Sequence, residues 1–293
     1  MPKGFYFLIG AQFASGLADN ALLILGIYFL REQGYPGWWA PLLKFSLTLA
    51  YVVLASVVGP WADAFPKNKL MACMNALKMM GVFLLLLGVQ PLCAFALIGL
   101  AASVYAPAKY GLVTEAVPIK LLVRANAWLE VSVVLSVILG IALGGALTGF
   151  SEATFSDDIF LWISKLPVLF IHTKTLPSML IVVSVYLTAA ALNFGLSPMG
   201  RRATIVPLTR HAIRLSTFWK SNQMLWRDPL GGISLYVTTL YWGVGAVLQF
   251  AVLLWAQQSL ELTLTSGAYL QALVALGVIL GAFCAGRSYK LHS

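Results

Sequence analysis

Asp19 and Asn20 are the residues of this chain best placed to do chemistry, because they interrupt an apolar run over residues 5–30. At about 1.5 Å of rise per residue, a helix of this length crosses a hydrocarbon layer about 30 Å thick. A carboxylate at that depth costs at least ~2.5–3.5 kcal/mol, so it persists only where it faces a protein interior or a wet cavity. The pair therefore predicts a path for an ion, a proton or a polar substrate.

The composition of the 293 residues is typical of a membrane protein. Hydrophobic residues make up 60% and charged residues only 10%, whereas soluble domains carry about 25% charged residues. The net charge of +9 comes from basic residues that cluster between apolar runs, which indicates membrane orientation and no nucleic acid partner. The cysteines form no CxxC and have no histidine pair nearby, and neither HExxH nor GxSxG occurs. We therefore expect no metal site and no enzymatic activity.

Several further apolar runs predict more membrane-spanning helices, and therefore an all-α polytopic fold. The runs are continuous and do not alternate with polar residues, which favours helices over a barrel. After the first run, their approximate bounds are 40–58, 70–89, 94–116, 126–147, 178–196, 230–254 and 267–286.

Most lysines and arginines lie on one side of this arrangement: before the first run, between alternate runs and after the last. The positive-inside rule therefore predicts that the N terminus and the C terminus are both cytoplasmic. One alternative stays open, because the aromatic-rich stretch 159–171 either lies along the interface or forms another span, which would invert everything after it. The basic segment 197–229 would then lie outside, and this argues against the extra span.

The loop after the second run resembles the G-x3-D-x3-[RK]-x-[RK] loop of the major facilitator superfamily, through Gly59, Asp63, Lys67 and Lys69. The resemblance implies a conformational latch, in which the glycine permits a tight helix end. The aspartate would interact with a neighbouring helix terminus and with cations. The alternative is an ordinary basic loop, for which Lys67 and Lys69 alone would suffice.

Several longer blocks together resemble one family within that superfamily, the lysophospholipid transporter (LplT) family. They are AQFASGLADNALL, GPWADAFPKNKLM, NALKMMG, YAPAKYGLVTEAVP, KLLVRANAWLE and YWGVGAVLQFAVLLW. The resemblance implies a major facilitator-like helical bundle, in which residues 1–196 form the N-terminal six-span half and residues 197–229 form a basic cytoplasmic linker. Residues 230–293 would be the first two spans of an incomplete C-terminal half, so we expect a chain truncated after about eight spans.

The same resemblance implies an activity, namely moving lysophospholipids such as lysophosphatidylethanolamine across the bacterial inner membrane. Transfer would run from the outer to the inner leaflet, where an acyltransferase–acyl-ACP synthetase partner would re-acylate the lipid during phospholipid remodelling. Asp19 would bind either the amine of the head group or a coupling cation, Na+ or H+, and this choice stays open. No other cofactor is expected.

Three further residues are predicted to bind substrate or ion, each with a plainer alternative. A proline two residues before Lys109 can kink the helix and turn the amine toward a cavity, or the amine snorkels to the nearer surface. Glu130, near the start of the fifth run, joins the site or pairs with a cation at the interface. Gln249 stands where the family pattern has arginine; it cannot neutralise a phosphate and is otherwise a contact between helices. Lys44 and Lys78 are predicted to snorkel or to be paired, with a direct role in the site as the alternative.

Two other functions stay open. A proton-coupled small-molecule or drug transporter would use Asp19 as its proton site. The stretch GIALGGALTG places Gly140, Gly144 and Gly145 on a face suited to close helix packing, but it lacks the proline that some drug–proton antiporters carry there. This departure counts against the antiporter. The chain could also be a truncated remnant that transports nothing, or a structural subunit.

Overall fold

The computed structural model describes residues 3–118, 121–154, 175–195, 208–209 and 214–263, together with residues 266, 267, 269, 270, 273, 277 and 280. Within these ranges the chain is helical and contains no strand. Its helices are α1 (Lys3–Glu32), α2 (Trp39–Val53), α3 (Ala55–Ala64), α4 (Lys67–Leu86), α5 (Pro91–Ala116), α6 (Leu122–Thr154), α7 (Leu176–Phe194), α8 (Leu215–Arg227) and α9 (Pro229–Gln258).

The predicted spans correspond to long apolar helices. Each of α1, α4, α5, α6, α7 and α9 is long and apolar enough to cross a membrane, and α2 with α3 adds a crossing if this bent pair is one span. The prediction of an all-α polytopic membrane protein is therefore confirmed. The predicted run 267–286 lies outside the described residues except at isolated positions, and the stretch 159–171 lies wholly outside them.

The second predicted run, 40–58, is not one straight helix. α2 and α3 are bent by 68° relative to each other, and Leu54 between them has φ −93° and ψ 0°, in the sparsely populated bridge region. Pro60 inside α3 has no N–H to bond to the carbonyl of Ser56, which weakens the helix in the turn after the bend. The bend lets both helices pack on α5 and brings the end of α3 to the start of α4.

The central helix of the bundle is α1, which packs mainly on α6 and α7. Two glycines of α6 make the contact with α1 close. A methyl group at Gly140 would lie 2.6 Å from the carbonyl oxygen of Leu17, and one at Gly144 would lie 2.8 Å from that of Ala21. The predicted close-packing face is confirmed at these two glycines. α4 packs on α5 and α7, and α2 packs on α5.

The predicted basic linker, residues 197–229, contains the helix α8, which buries no residue. Asp228 then starts α9, because its Oδ2 accepts a hydrogen bond from the Gly231 N–H at 2.6 Å. α9 corresponds to the predicted run 230–254 and joins the core through Leu253. The division into 1–196, 197–229 and 230–293 stays a prediction.

Candidate functional site

A cavity of about 240 Å³ lies among α1, α2, α4, α5 and α6, with Trp242 of α9 also in its lining. Asp19 is part of this lining and stands roughly 20 Å from either end of α1. The cavity therefore lies inside the bundle, far from both ends of its central helix. Its polar lining comprises Gln12, Ser15, Asp19, Asn20, Lys44, Thr48, Tyr51, Lys78, Tyr105, Lys109 and Ser136.

The strongest interaction in the cavity wall is an ion pair between Asp19 and Lys78. The Lys78 Nζ donates to Asp19 Oδ2 at 2.7 Å and to Ser15 Oγ at 3.0 Å. The Lys78 side chain is 1% exposed, whereas that of Asp19 is 32% exposed. The ammonium is thus sealed in the protein, and the carboxylate keeps part of its surface toward the cavity.

Two tyrosines complete the surroundings of this ion pair. The Tyr186 hydroxyl donates to Asp19 Oδ1 at 2.7 Å, so both carboxylate oxygens accept a hydrogen bond. The rings of Tyr105 and Tyr186 have their centroids 5.0 Å and 5.6 Å from the Lys78 amine, within the range of cation–π attraction. Asp19 on α1 is therefore fixed from α4 and α7 at once. This support allows a charged carboxylate to remain in an apolar bundle.

Behind the ion pair lies a buried polar cluster. The Ser15 hydroxyl donates to Asn75 Oδ1 at 2.8 Å. Asn75 Nδ2, the Tyr105 hydroxyl and both polar atoms of the Asn193 side chain are buried and have no hydrogen-bond partner among the described residues. An unsatisfied buried polar atom costs ~1–3 kcal/mol. Polarity therefore extends from the cavity toward α7, at a cost in stability.

Lys109 lies in the same cavity as Asp19, as predicted. Its side chain is 7% exposed, and its amine stands 4.6 Å from the ring centroid of Tyr110. It makes no ion pair with a carboxylate among the described residues. The amine thus stays beside its own turn of α5, and the partner of Asp19 is Lys78.

Glu130 does not join Asp19 in the cavity. It is exposed on α6 and accepts a hydrogen bond from the Tyr110 hydroxyl at 2.9 Å. Its charge attracts the Lys109 amine from beyond ion-pair distance. The grouping of Glu130 with Asp19 is therefore not reproduced, because the cavity lining on α6 begins one turn later, at Val133.

Near the end of α3, the predicted latch residues differ in burial and in their partners. Lys67 is buried and pairs with Asp63 at 3.4 Å and with Glu115 of α5 at 2.5 Å. Lys69 is exposed. The expected tight helix end at Gly59 is wrong: this glycine lies inside α3, which continues to Ala64 and ends at an extended Phe65.

The chain resembles bacterial proteins named lysophospholipid transporter LplT over almost its whole length. The relative from Enterobacter sp. (strain 638) is 31% identical over 297 residues, which cover 99% of this chain and 68% of the relative. That from Yersinia enterocolitica is 32% identical over 294 residues, which cover 100% of this chain and 67% of the relative. This chain belongs to the lysophospholipid transporter LplT family. No family model matches it.

For this LplT chain, sequence reasoning placed Asp19, Asn20 and Lys109 in one site, and the structure brings all three to one cavity. It did not identify Lys78 as the partner of Asp19. The block NALKMMG held a signal, because Asn75 and Lys78 are three residues apart and so share a helix face.

Two other residues of the LplT chain were missed altogether. Tyr186 is distant in sequence and lies in an apolar run with no local sign of a polar partner. Glu115 was not predicted to join the latch, but its carboxylate pairs with Lys67. Gln249 lies in α9, and its side chain is outside the described part of the chain.

Proposed function

We propose that this chain moves lysophospholipids across a membrane by passing the polar head group through the cavity that contains Asp19. Such a head group must cross a region where isolated charge is costly. A charged cavity inside an apolar bundle of the LplT family is the observation that supports the proposal. The single acyl chain would stay against apolar helix faces or in the lipid.

The residues of the cavity suit a head group that carries both an amine and a phosphate. The cavity-facing part of the Asp19 carboxylate would bind the amine of an ethanolamine head group, or a coupling cation, Na+ or H+. Asn20 and Lys109 would donate hydrogen bonds to the phosphate. The bond from the Lys109 amine is the stronger of the two, because it is charge-assisted. Gln249 would add a hydrogen bond from α9 but no charge.

The setting that fits this proposal is the bacterial inner membrane. The distribution of lysines and arginines favours a cytoplasmic N terminus. Transfer would then run from the outer to the inner leaflet, where an acyltransferase–acyl-ACP synthetase would consume the lysophospholipid. The buried Lys67, with Asp63 and Glu115, would latch one conformation, because it joins the ends of α3, α4 and α5.

Uptake of labelled lysophosphatidylethanolamine tests the proposal. Cells without their own lysophospholipid transporter would produce the 293-residue chain, its Asp19→Asn variant at equal membrane level, or neither. We expect uptake only with the unmodified chain. Saturable uptake of a hydrophobic cation, without any uptake of the lysophospholipid, would contradict the proposal and favour a small-molecule carrier.

A further inference from the structure

We propose that Lys44 and Lys109 form two separate subsites for the phosphate of one ligand, on opposite sides of the Asp19–Lys78 ion pair. The inference rests on the proposed function, because the ligand it names is the phosphate of a single-chain phospholipid. The sequence favours snorkelling or pairing for Lys44 over a direct role. Its place in the cavity lining, together with its charge, suggests one.

The helix contacts place Lys44 toward one end of the cavity. The carbonyl of Leu47 packs directly against Gly99 of α5, and a methyl group at Gly26 of α1 would meet both Leu43 and Phe95. Lys44 lies between these two contacts on α2. Its backbone is therefore level with the stretch of α5 from Phe95 to Gly99.

Lys109 lies much farther along α5. Ten residues separate it from Gly99, which corresponds to about 15 Å of helical rise. A methyl group at Gly111 would lie 2.6 Å from Lys67 Cε, so this part of α5 is level with the start of α4. The Lys109 amine stays at that level, since it stands over the ring of the next residue, Tyr110. The backbones of Lys44 and Lys109 therefore stand at different heights along the cavity, at least about 15 Å apart.

The Asp19–Lys78 pair occupies the height between them. α1 runs antiparallel to α5, because Gly26 meets Phe95 and Phe5 packs in one cluster with Leu112. Asp19 lies seven residues before Gly26, about 10 Å along α1, and therefore between the levels of Lys44 and Lys109. Lys78 already satisfies that carboxylate at 2.7 Å. Neither Lys44 nor Lys109 makes an ion pair with a described residue.

The balance of charge around the cavity favours an anionic ligand. Three amines, of Lys44, Lys78 and Lys109, line it beside one carboxylate, that of Asp19. Positive charge remains in excess even when the nearby Glu130 is counted. A phosphate would meet one of these two amines at a time, because at least about 15 Å of helix separates the backbones of Lys44 and Lys109. Passing it from one amine to the other would carry the head group past the ion pair.

Binding and transport measured side by side test this arrangement. The 293-residue chain in lipid nanodiscs would be titrated with lysophosphatidylethanolamine and with a monoacylglycerol of the same chain length, which has no phosphate. The variants are Lys44→Gln, Lys109→Gln and the double substitution. Lys220→Gln, which removes an exposed charge on α8, is the matched control. The double variant Lys44→Arg/Lys109→Arg keeps both charges and checks folding.

We expect each single glutamine variant to bind lysophosphatidylethanolamine within about threefold of the unmodified chain, because the phosphate still has one amine to occupy. The double glutamine variant should bind at least about tenfold more weakly, and the double arginine variant should bind normally. Uptake should fall about tenfold or more in each single variant, because the phosphate has no second position to reach. Monoacylglycerol binding should not change in any variant.

Several results would overturn the inference while leaving the proposed function intact. A single variant that binds as weakly as the double variant would show that the amines act together on one group. Unchanged binding by the double glutamine variant, or normal uptake by a single variant, would also exclude serial subsites. Labelled inorganic phosphate that binds as tightly as the lipid would assign the site to free phosphate. If the unmodified chain neither binds nor takes up the lysophospholipid, the proposed function itself fails.

Discussion

Lys67 and Lys78 lie on the same helix, α4, and both are buried beside a carboxylate from another helix, but their surroundings differ. Lys67 stands at the helix start between two partly exposed carboxylates, those of Asp63 and Glu115. Lys78 stands inside the bundle with Asp19 alone, and a serine hydroxyl and two tyrosine rings complete its surroundings.

The difference shows that the position of a buried lysine along a helix decides what its ion pair can do. At the start of α4, water can solvate the carboxylates if the pair opens, so that the pair can form and break as helix ends move. Inside the bundle, either partner left alone would be an uncompensated charge. The first cluster is therefore suited to a latch and the second to holding a permanent charge beside a cavity.

The largest effect is expected from Asp19→Asn. The substitution leaves the Lys78 ammonium buried and unpaired, which costs ~3–5 kcal/mol, and removes the charge that faces the cavity. Lysophosphatidylethanolamine uptake should be lost while the protein still inserts in the membrane. The double variant Asp19→Asn/Lys78→Met should recover thermal stability but not uptake. Recovery of uptake as well would mean that Asp19 serves only to balance Lys78.

Gly140→Ala should perturb the packing beside Asn20, and Gly111→Ala should perturb the packing around Lys67. A methyl group at Gly140 would meet the Leu17 carbonyl at 2.6 Å and Asn20 Cβ at 2.8 Å, so Gly140→Ala must move α1 and should cost ~1–3 kcal/mol. At Gly111 the three atoms nearest to the methyl all belong to the flexible side chain of Lys67, and Gly111→Ala should cost less. Melting temperatures of the purified variants compare them. Equal losses in melting temperature would contradict the view that a backbone atom in the way of the added methyl group is more costly to move than a side chain.

Lys67→Met should destabilise the protein by about 1–2 kcal/mol, because Asp63 and Glu115 lose the cation they share but keep access to water. Lys69→Met is the matched control, since Lys69 is exposed, and its effect should stay within ~0.5 kcal/mol. Thermal unfolding in detergent measures both. A larger loss of stability with Lys69→Met than with Lys67→Met would indicate that Lys69, and not Lys67, is the latch residue.

The smallest effect is expected from Tyr186→Phe. The ring stays beside the Lys78 amine, and only the hydrogen bond to Asp19 Oδ1 is lost, worth ~1 kcal/mol. Uptake should fall roughly fivefold. Tyr236→Phe, on the exposed surface of α9, is the control and should leave uptake unchanged. No change with Tyr186→Phe would show that Lys78 alone fixes the carboxylate.

The fold could be predicted from sequence more completely than the site. The membrane helices could be predicted from continuous apolar runs, because the length and hydropathy of one segment decide whether it crosses a membrane. The break at Leu54 was missed, since that stretch is apolar on both sides of the bend. A pattern that is apolar all round a helix also fails to say which face meets which neighbour. Asp19 was therefore recognised by its depth, whereas its partners Lys78 and Tyr186 depend on how α4 and α7 are turned.

Glu130 shows the converse: a residue whose type suits the site can lie outside it. It lies near the start of α6, and its residue type suggested a role in the site. The cavity lining on α6, however, begins at Val133, one turn after Glu130. Glu130 is exposed there and accepts a hydrogen bond from the Tyr110 hydroxyl. The level at which the cavity starts along α6 thus decides whether a carboxylate joins it, and the sequence does not mark that level.

The glycine contacts also determine how the cavity can widen. α6 is joined to α1 through Gly140 and Gly144, and α2 is joined to α5 through Gly99, in both cases with little more than backbone between the helices. Neither pair can spread without losing this contact. Between the pairs, α5 touches α6 and α1 touches α2 far more sparsely. An opening on that side of the bundle would admit a molecule with its head inside the protein and its tail still in the membrane.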